Sequence, residues 1–220
     1  MRSARAHDVS AIVLAGGRSS RFGGPKLEAK LQGTSILEHA IRAVVAFASE
    51  IVVSLPADPS MAEPAFGELP RNPAVRFVRD PEAYGGPLVG LATALEATTG
   101  RRAIVVAGDM PRLRPAVLQT MLDRLGPTPD ALDHLGPDAI VLTSDGEARP
   151  LPVVFWIDAA RRAVNDTLGA GERSLRAMLA RLAVEELAPE TWRPLDPRAE
   201  TLIDIDARAD LEVLRLADRL

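Results

Sequence analysis

Arg18, Ser19, Arg21 and Lys26 fall in one short segment that also contains Gly16, Gly17, Gly23 and Gly24. Glycine lets the backbone turn tightly and come close to a ligand, so that main-chain N–H groups can face phosphate oxygens. The cationic side chains supply the opposite charge that a triphosphate needs. Farther along the chain stand Asp80, Asp109, Asp204 and Asp206. Magnesium takes oxygen ligands, typically one or two carboxylates together with substrate phosphates and waters. A cationic glycine loop and a set of separate aspartates thus point to metal-assisted chemistry on a nucleoside triphosphate.

The loop is neither of two familiar phosphate loops. A Walker A loop needs Lys followed by Ser or Thr at the start of a helix, whereas Lys26 lies between Pro25 and Leu27. A dinucleotide fingerprint needs G-x-G-x-x-G, whereas Gly16 and Gly17 are adjacent. A plain structural turn would need neither these four glycines nor the cations among them.

The elements that must position these groups can be read from periodicity. The apolar run Ala11-Ile12-Val13-Leu14 is a buried strand feeding the loop. The alternation Leu27 to Leu31 predicts a short strand closed by a Gln32-Gly33 turn. Ser35 with Glu38 forms a capping box that opens a helix through Ala48. Ile51 to Val53 and Val75 to Val78 are strands, separated by a proline-rich stretch with Pro56, Pro59, Pro64, Pro70 and Pro73. Pro87 starts a helix to Ala97 and Pro115 a helix to Leu125, with the strand 103–107 between them. Further strands are expected at 139–143, 152–157 and 184–187, with helices at 158–168 and 174–182. A last short strand is expected at 202–206, followed by an amphipathic helix over 207–219. Apolar strands alternating with helices predict a doubly wound α/β fold, with one mostly parallel sheet and helices on both faces. Residues 1–220 read as one domain behind a polar tail at 1–8.

In such a sheet ligands bind beyond the carboxyl ends of the strands. The glycine loop, Asp80, the Gly85–Gly90 turn and Asp109 all fall there. Asp109, just past Val105-Val106-Ala107, stands where a magnesium ion would bridge it to phosphates. Asp80 is either a turn former before Pro81 or a ligand contact. Asp204 and Asp206, two apart on the expected strand, would share one face and repel unless a cation or donors lie between them. Alternatively, Asp206 caps the last helix.

Composition narrows the function classes. The 220 residues are 47% hydrophobic, enough for a core, and no apolar run approaches a membrane span. A net charge of −4 argues against a general nucleic-acid surface. The absence of cysteine excludes disulfides and thiolate chemistry. The first eight residues lack an apolar segment, so no signal peptide is expected and a cytoplasmic setting is.

The motif LAGG-x-S-x-R-F-G-x-x-K over 14–26, with Gly86-Pro87-Leu88-Val89-Gly90 and Gly108-Asp109-Met110-Pro111, resembles the molybdenum cofactor guanylyltransferase family. The resemblance runs through essentially the whole chain and implies a Rossmann-like fold akin to the nucleotide-diphospho-sugar transferases. It implies transfer of GMP from GTP to molybdopterin, giving the guanine dinucleotide cofactor and pyrophosphate with Mg2+ as cofactor. Leu14, Ala15, Gly16 and Gly17 would hold phosphates and the base edge. Arg21 and Lys26 would offset developing charge, and Asp80, Gly86, Pro87, Leu88 and Gly90 would line the nucleotide site. Asp109 and Asp206 would hold the metal. Ala170-Gly171-Glu172-Arg173-Ser174 resembles the family's pterin-side segment, which makes Arg173 and, with the terminal pair, Asp204 and Asp206 substrate-binding candidates. The partners implied are GTP, molybdopterin and, transiently, molybdoenzymes or other molybdenum cofactor proteins, with no nucleic acid or membrane. A monomer or weak homo-oligomer is expected.

Two departures keep alternatives open. The family often has Asn-x-Asn where this chain has Asp204-x-Asp206, and Asp-x-Asp is common in related cytidylyltransferases. The family also often has Asn after the second strand, where this chain has Ser54-Leu55. A cytidylyltransferase or other small-molecule nucleotidyltransferase is therefore the second enzymatic reading. A non-catalytic nucleotide- or cofactor-binding accessory protein is the third.

Overall fold

Runs of β-branched and aliphatic residues place strands at the centre, with helices on both sides to cover them. The computed structural model describes residues 8–16, 21–58, 75–82, 85–127 and 136–218, so Pro59, Pro64, Pro70 and Pro73 lie outside the described residues. In chain order, β1 (Val9–Leu14) leads through the glycine loop to a small hairpin of β2 (Lys30–Leu31) and β3 (Thr34–Ser35). Then come α1 (Ile36–Val44), β4 (Glu50–Leu55), β5 (Val75–Arg79), α2 (Pro87–Ala97), β6 (Arg102–Ala107) and α3 (Pro115–Leu125). The second half contains β7 (Ala139–Ser144), β8 (Glu147–Trp156), α4 (Ile157–Gly169), α5 (Leu175–Leu179), β9 (Val184–Leu187), α6 (Pro189–Trp192) and α7 (Arg208–Ala217).

The main sheet has seven strands in the order β5-β4-β1-β6-β8-β7-β9. Its first four strands are parallel, β8 runs against both β6 and β7, and β9 is parallel to β7. One face packs Val13, Val53, Ile104 and Val106 against Leu37 and Ile41 of α1 and Val117 and Met121 of α3. The other packs Ile12, Val52, Val105 and Phe155 against Leu88, Leu91 and Leu95 of α2 and Ala160 and Val164 of α4. Truncating one such fully buried Leu to Ala costs about 2–5 kcal/mol. Among the described residues, no helix is long and apolar enough to cross a membrane.

Several expectations change on folding. The expected strand at 27–31 begins as a 3-10 turn over Lys26–Glu28, and only Lys30–Leu31 pairs. Pro25 fixes the chain just before the turn, and Ile36 N donates to Ala29 O, closing the hairpin back on itself. The first helix ends at Val44 rather than Ala48, because Phe47 N bonds Val44 O in a tight turn that leads Ser49 N to Val9 O. β8 starts at Glu147, ahead of both prolines, and its register with β7 shifts between Val141 and Leu142. That irregularity accommodates Pro150 and Pro152, which have no N–H for a ladder.

The expected strand at 202–206 is not a strand. Asp196 accepts from Glu200 N (3.0 Å) and Thr201 N (2.7 Å), winding a 3-10 turn over Glu200–Leu202. The chain then continues irregularly, with Ile205 N bonded to Asp109 O at 3.0 Å. Alternation survives without the strand: Ile205 is buried while Asp204 and Asp206 are exposed. Ile205 joins Phe22, Leu31, Ile36, Leu211 and Leu214 in a small third core beneath α7.

Candidate active site

Parallel strands end together, so the loops after β1, β4, β5 and β6 meet at one edge of the sheet. Leu14 O accepts from Gly108 N (2.9 Å), and Ala15 N donates to Ser54 O (2.8 Å). The Ala15 amide, expected to face phosphate, therefore belongs to the sheet, and the loop leaves the ladder at Gly16. Gly17, Arg18 and Ser19 lie outside the described residues. Gly108 permits the closure onto β1, since a Cβ there would meet Leu37 Cδ1 at 3.0 Å and Leu14 O at 3.4 Å.

Lys26 comes back to this edge from its 3-10 turn. Its Nζ lies 2.6 Å from Asp109 Oδ2 and 3.6 Å from Asp206 Oδ1, with a side chain only 11% exposed. Arg21 reaches Asp206 Oδ2 at 3.5 Å from a largely exposed position. Asp204 completes the acidic group. Partial desolvation, then the carboxylates of Asp109 and Asp206, hold its carboxyl above the ordinary aspartate range, while Lys26 pulls the other way. Asp206 does not cap α7. The Asp210 carboxylate does so by accepting from Asp206 N (2.8 Å) and Ala207 N (2.7 Å), and these bonds hold it below the usual range.

Asp80 lies in a second group at this edge. It is 6% exposed, and its Oδ1 accepts from Ser54 Oγ at 2.6 Å. Burial raises its carboxyl above the ordinary range, and the Ser54 bond opposes that rise. A turn former at the surface would be solvated; this carboxylate is buried against α2. A Cβ on Gly90 would lie 3.4 Å from both Asp80 oxygens and 2.9 Å from Ser54 Oγ, and one on Gly16 would lie 3.8 Å from Asp80 Oδ2.

A third group lies at the start of α2. Gly86 takes φ +97°, Pro87 occupies the first turn, and Leu88 is fully buried. Arg173 closes over this turn, its guanidinium 2.7 Å from Glu82 Oε2 and 3.5 Å from Gly85 O. Each partner favours the other's charge, so Glu82 lies below and Arg173 above its ordinary value. The candidate residues thus gather as three neighbourhoods at one edge: Arg21, Lys26, Asp109, Asp204 and Asp206; Gly16, Asp80 and Gly90; and Gly86, Pro87 and Arg173.

Glu82, Arg208 and Asp210 escaped the sequence reading, and Ser54 entered it only as a departure from the family's usual Asn. Arg208 stacks over Phe22, its guanidinium 5.4 Å from the ring centre, and donates from Nε to Phe22 O at 3.0 Å. These contacts tie α7 to the glycine loop. Asp210 carried a signal, an acid at the third position of a helix, which favours capping. Glu82 gave none, because its partner Arg173 lies 91 residues away, and the bond of Ser54 to Asp80 spans 26 residues.

The arrangement can bind a metal-bound polyphosphate. Among the described residues no group of three or more His, Cys, Asp or Glu forms a closed metal cage. Magnesium needs only one or two carboxylates beside substrate oxygens. Asp109 and Asp206 already hold one cation between them, the Lys26 ammonium.

Comparison with known proteins identifies the family and the fold. A family model described as the MobA-like NTP transferase domain matches residues 11–187. A relative from Chloroflexus aggregans, "Probable molybdenum cofactor guanylyltransferase", is 32% identical over 210 residues, covering 94% of this chain and 93% of its own. A crystal structure of molybdopterin-guanine dinucleotide biosynthesis protein A from Archaeoglobus fulgidus superposes with a TM-score of 0.73 at 24% identity, covering 96% of this chain and 100% of that one. The 2-C-methyl-D-erythritol 4-phosphate cytidylyltransferase of Thermus thermophilus superposes with a TM-score of 0.67 at 17% identity, covering 97% and 100%. At these identities the two structures establish the fold.

Proposed function

The chain belongs to the MobA-like NTP transferase family, and from that premise we propose that it transfers GMP from GTP to the phosphate of molybdopterin. A phosphate oxygen of molybdopterin attacks the α-phosphorus of GTP. The bond to the α,β-bridging oxygen breaks, and pyrophosphate leaves. The acceptor phosphate is already anionic at neutral pH, so the protein supplies positioning and charge neutralisation rather than a general base.

The observation that carries this reading is the Lys26 ammonium held between Asp109 and Asp206 at the mouth of the glycine loop. Lys26 and Arg21 offset negative charge on the α-phosphate and the departing pyrophosphate. Asp109 and Asp206 would hold Mg2+, which when bound supplies Lewis-acid polarisation of phosphoryl oxygens. Asp80, lying under Gly16, contacts the nucleotide. Arg173 takes the acceptor phosphate, exchanging its bond to Glu82 for one to the substrate.

Pyrophosphate release with magnesium and molybdopterin, compared across GTP, CTP, ATP and UTP, tests the proposal. Strong preference for GTP is expected. Preference for CTP would keep the mechanism and assign Asp204 and Asp206 to cytidylyl transfer. Tight nucleotide binding without release from any of the four would overturn the enzymatic reading in favour of an accessory protein.

A further inference from the structure

The segment that carries Lys26 has little backbone support of its own. It runs from Phe22 through Gly23, at φ +71°, Gly24 and Pro25 into the 3-10 turn over Lys26–Glu28. Over 22–28 the backbone bonds among the described residues are local, Glu28 N to Pro25 O (3.2 Å) and Ala29 N to Lys26 O (3.1 Å). Two arginines of α7 supply the missing ties. Arg208 Nε donates to Phe22 O at 3.0 Å, and Arg215, paired with Glu212 beside it, donates from Nη2 to Lys30 O at 2.6 Å. Phe22 and Lys30 stand four residues before and four after Lys26, while Arg208 and Arg215 are seven apart, on one face of the helix. Between the arginines, Leu211 and Leu214 pack with Phe22 and Leu31 in the third core.

α7 is itself fixed to the opposite side of the site. Ile205 N bonds Asp109 O at 3.0 Å, and the Asp210 carboxylate holds the amides of Asp206 and Ala207. At the far end Asp218 pairs with Arg112, three residues past Asp109. The Arg208 guanidinium lies 5.4 Å from the centre of the Phe22 ring, and a Cβ on Gly24 would come within 3.5 Å of its Nη2. Among the described residues no carboxylate pairs with Arg208, so its donors and its flat face serve the loop.

We infer that Arg208 and Arg215 are positioning residues of the transfer reaction, which clamp both ends of the Lys26 segment to α7 and so fix the ammonium opposite Asp109 and Asp206. The inference rests on the reading that Lys26 acts in the chemistry. One helix start then sets both sides of the gap. Asp206 reaches Lys26 Nζ at 3.6 Å, and Arg208, two residues on, holds the backbone that carries Lys26. A charge that stabilises a transition state works only when it is held in place beforehand. A misplacement of about 1 Å, caused far from the chemistry, can cost about a hundredfold.

The test is steady-state pyrophosphate release by Arg208→Met, Arg208→Lys and Arg215→Met, with Arg208→Met also made in the Lys26→Ala background, beside hydrogen exchange of the free proteins. Arg208→Met keeps the length of the side chain and loses the donor. It should lower kcat about tenfold and leave KM for GTP within about twofold, because the clamp acts on the transition state. Arg208→Lys, whose stem still covers Phe22 and whose ammonium still donates, should recover most of that loss. Arg215→Met should lower kcat about threefold, since the β2–β3 hairpin also holds Lys30. In the Lys26→Ala background Arg208→Met should change kcat by less than about twofold, the non-additivity of residues that act through one group. Without nucleotide, the amides of Glu28 and Ala29 should exchange faster in Arg208→Met, while those of α7 keep their protection. If Lys26→Ala loses turnover but Arg208→Met does not, or if the two losses multiply, the arginines are only structural and the inference fails. Unchanged exchange at Glu28 and Ala29 would also overturn it. If Lys26→Ala alters KM alone, the catalytic reading of Lys26 has failed first, and the inference falls with it.

Discussion

The two ends of the sheet use acids in opposite ways. At the amino end, Glu50 is saturated. Its Oε1 accepts from Ser10 Oγ (2.5 Å), Thr99 N (2.6 Å), Thr99 Oγ1 (3.0 Å) and Gly100 N (3.3 Å), and its Oε2 pairs with Arg76 at 2.6 Å. Burial would raise its carboxyl, but the bonds from Ser10, Thr99 and Gly100 together outweigh it and hold the group below the ordinary glutamate range. At the carboxyl end, burial raises Asp80 against the one side-chain donor it has among the described residues, Ser54, and desolvation followed by two neighbouring carboxylates raises Asp204, so both carboxyls lie above the aspartate range. One ammonium serves both Asp109 and Asp206. A structural acid is satisfied by its own chain. Among the described residues, the acids at the opposite edge share only Lys26 and the exposed Arg21, and a metal-bound nucleotide would bring further charge.

The largest expected effect at the carboxyl end is on turnover. Lys26→Ala should lower kcat about a hundredfold or more, as removal of an electrostatic group at a transition state typically does. A modest change confined to KM would remove Lys26 from the chemistry. At the amino end the expected effect is on stability instead. Glu50→Gln disturbs a buried acceptor with several donors and should cost about 3 kcal/mol. That corresponds to a fall in Tm of roughly 6–12 °C for a domain of this size, read by thermal melting. An unchanged Tm, or a kcat loss in protein that remains folded, would blur the contrast between the two ends.

Acid should separate the ends as well. A carboxyl held below its unfolded value contributes stability above that value and loses it as pH falls through the folded value. Glu50 should therefore contribute fully at neutral pH and lose its contribution below about pH 4.3, the ordinary glutamate value. Asp80 works in the opposite sense: its carboxyl is raised, so the penalty of its buried charge is relieved as pH falls toward its folded value. Melting curves from neutral pH into acid should show wild type losing more stability than Glu50→Gln once the pH is below about 4.3. Parallel curves would contradict the assignment.

The smallest effect is expected at the exposed Arg173–Glu82 pair. Exposed pairs contribute little to stability, so Glu82→Gln should leave Tm nearly unchanged. It should lower KM for molybdopterin about threefold by freeing Arg173, an effect of the size of one exposed pair. A raised KM would mean that Glu82 orients the arginine rather than competing for it.

The same contrast explains what could be read from the chain alone. α2 and α3 begin at the prolines and end where the apolar periodicity stops, because those signals are local. Asp109 and Lys26 stood out because each follows a strong local feature, a fully apolar strand and a glycine loop. The segment at 202–206 alternates like a strand, yet Asp196 and Asp109 hold it in an irregular path through bonds no local pattern encodes. Ser54 was legible only as a departure from the family's usual Asn, because its bond to Asp80 joins residues 26 apart in the chain.

Divalent-metal binding tests the central claim most directly, measured with Mn2+ by electron paramagnetic resonance on wild type and Asp109→Asn, each with and without GTP. The account predicts weak binding by wild type alone, because Lys26 already occupies the carboxylates, tight binding once GTP is present, and loss of that tight binding in Asp109→Asn beyond what GTP itself retains. Equal Mn2+ affinity in wild type and Asp109→Asn with GTP present would contradict it.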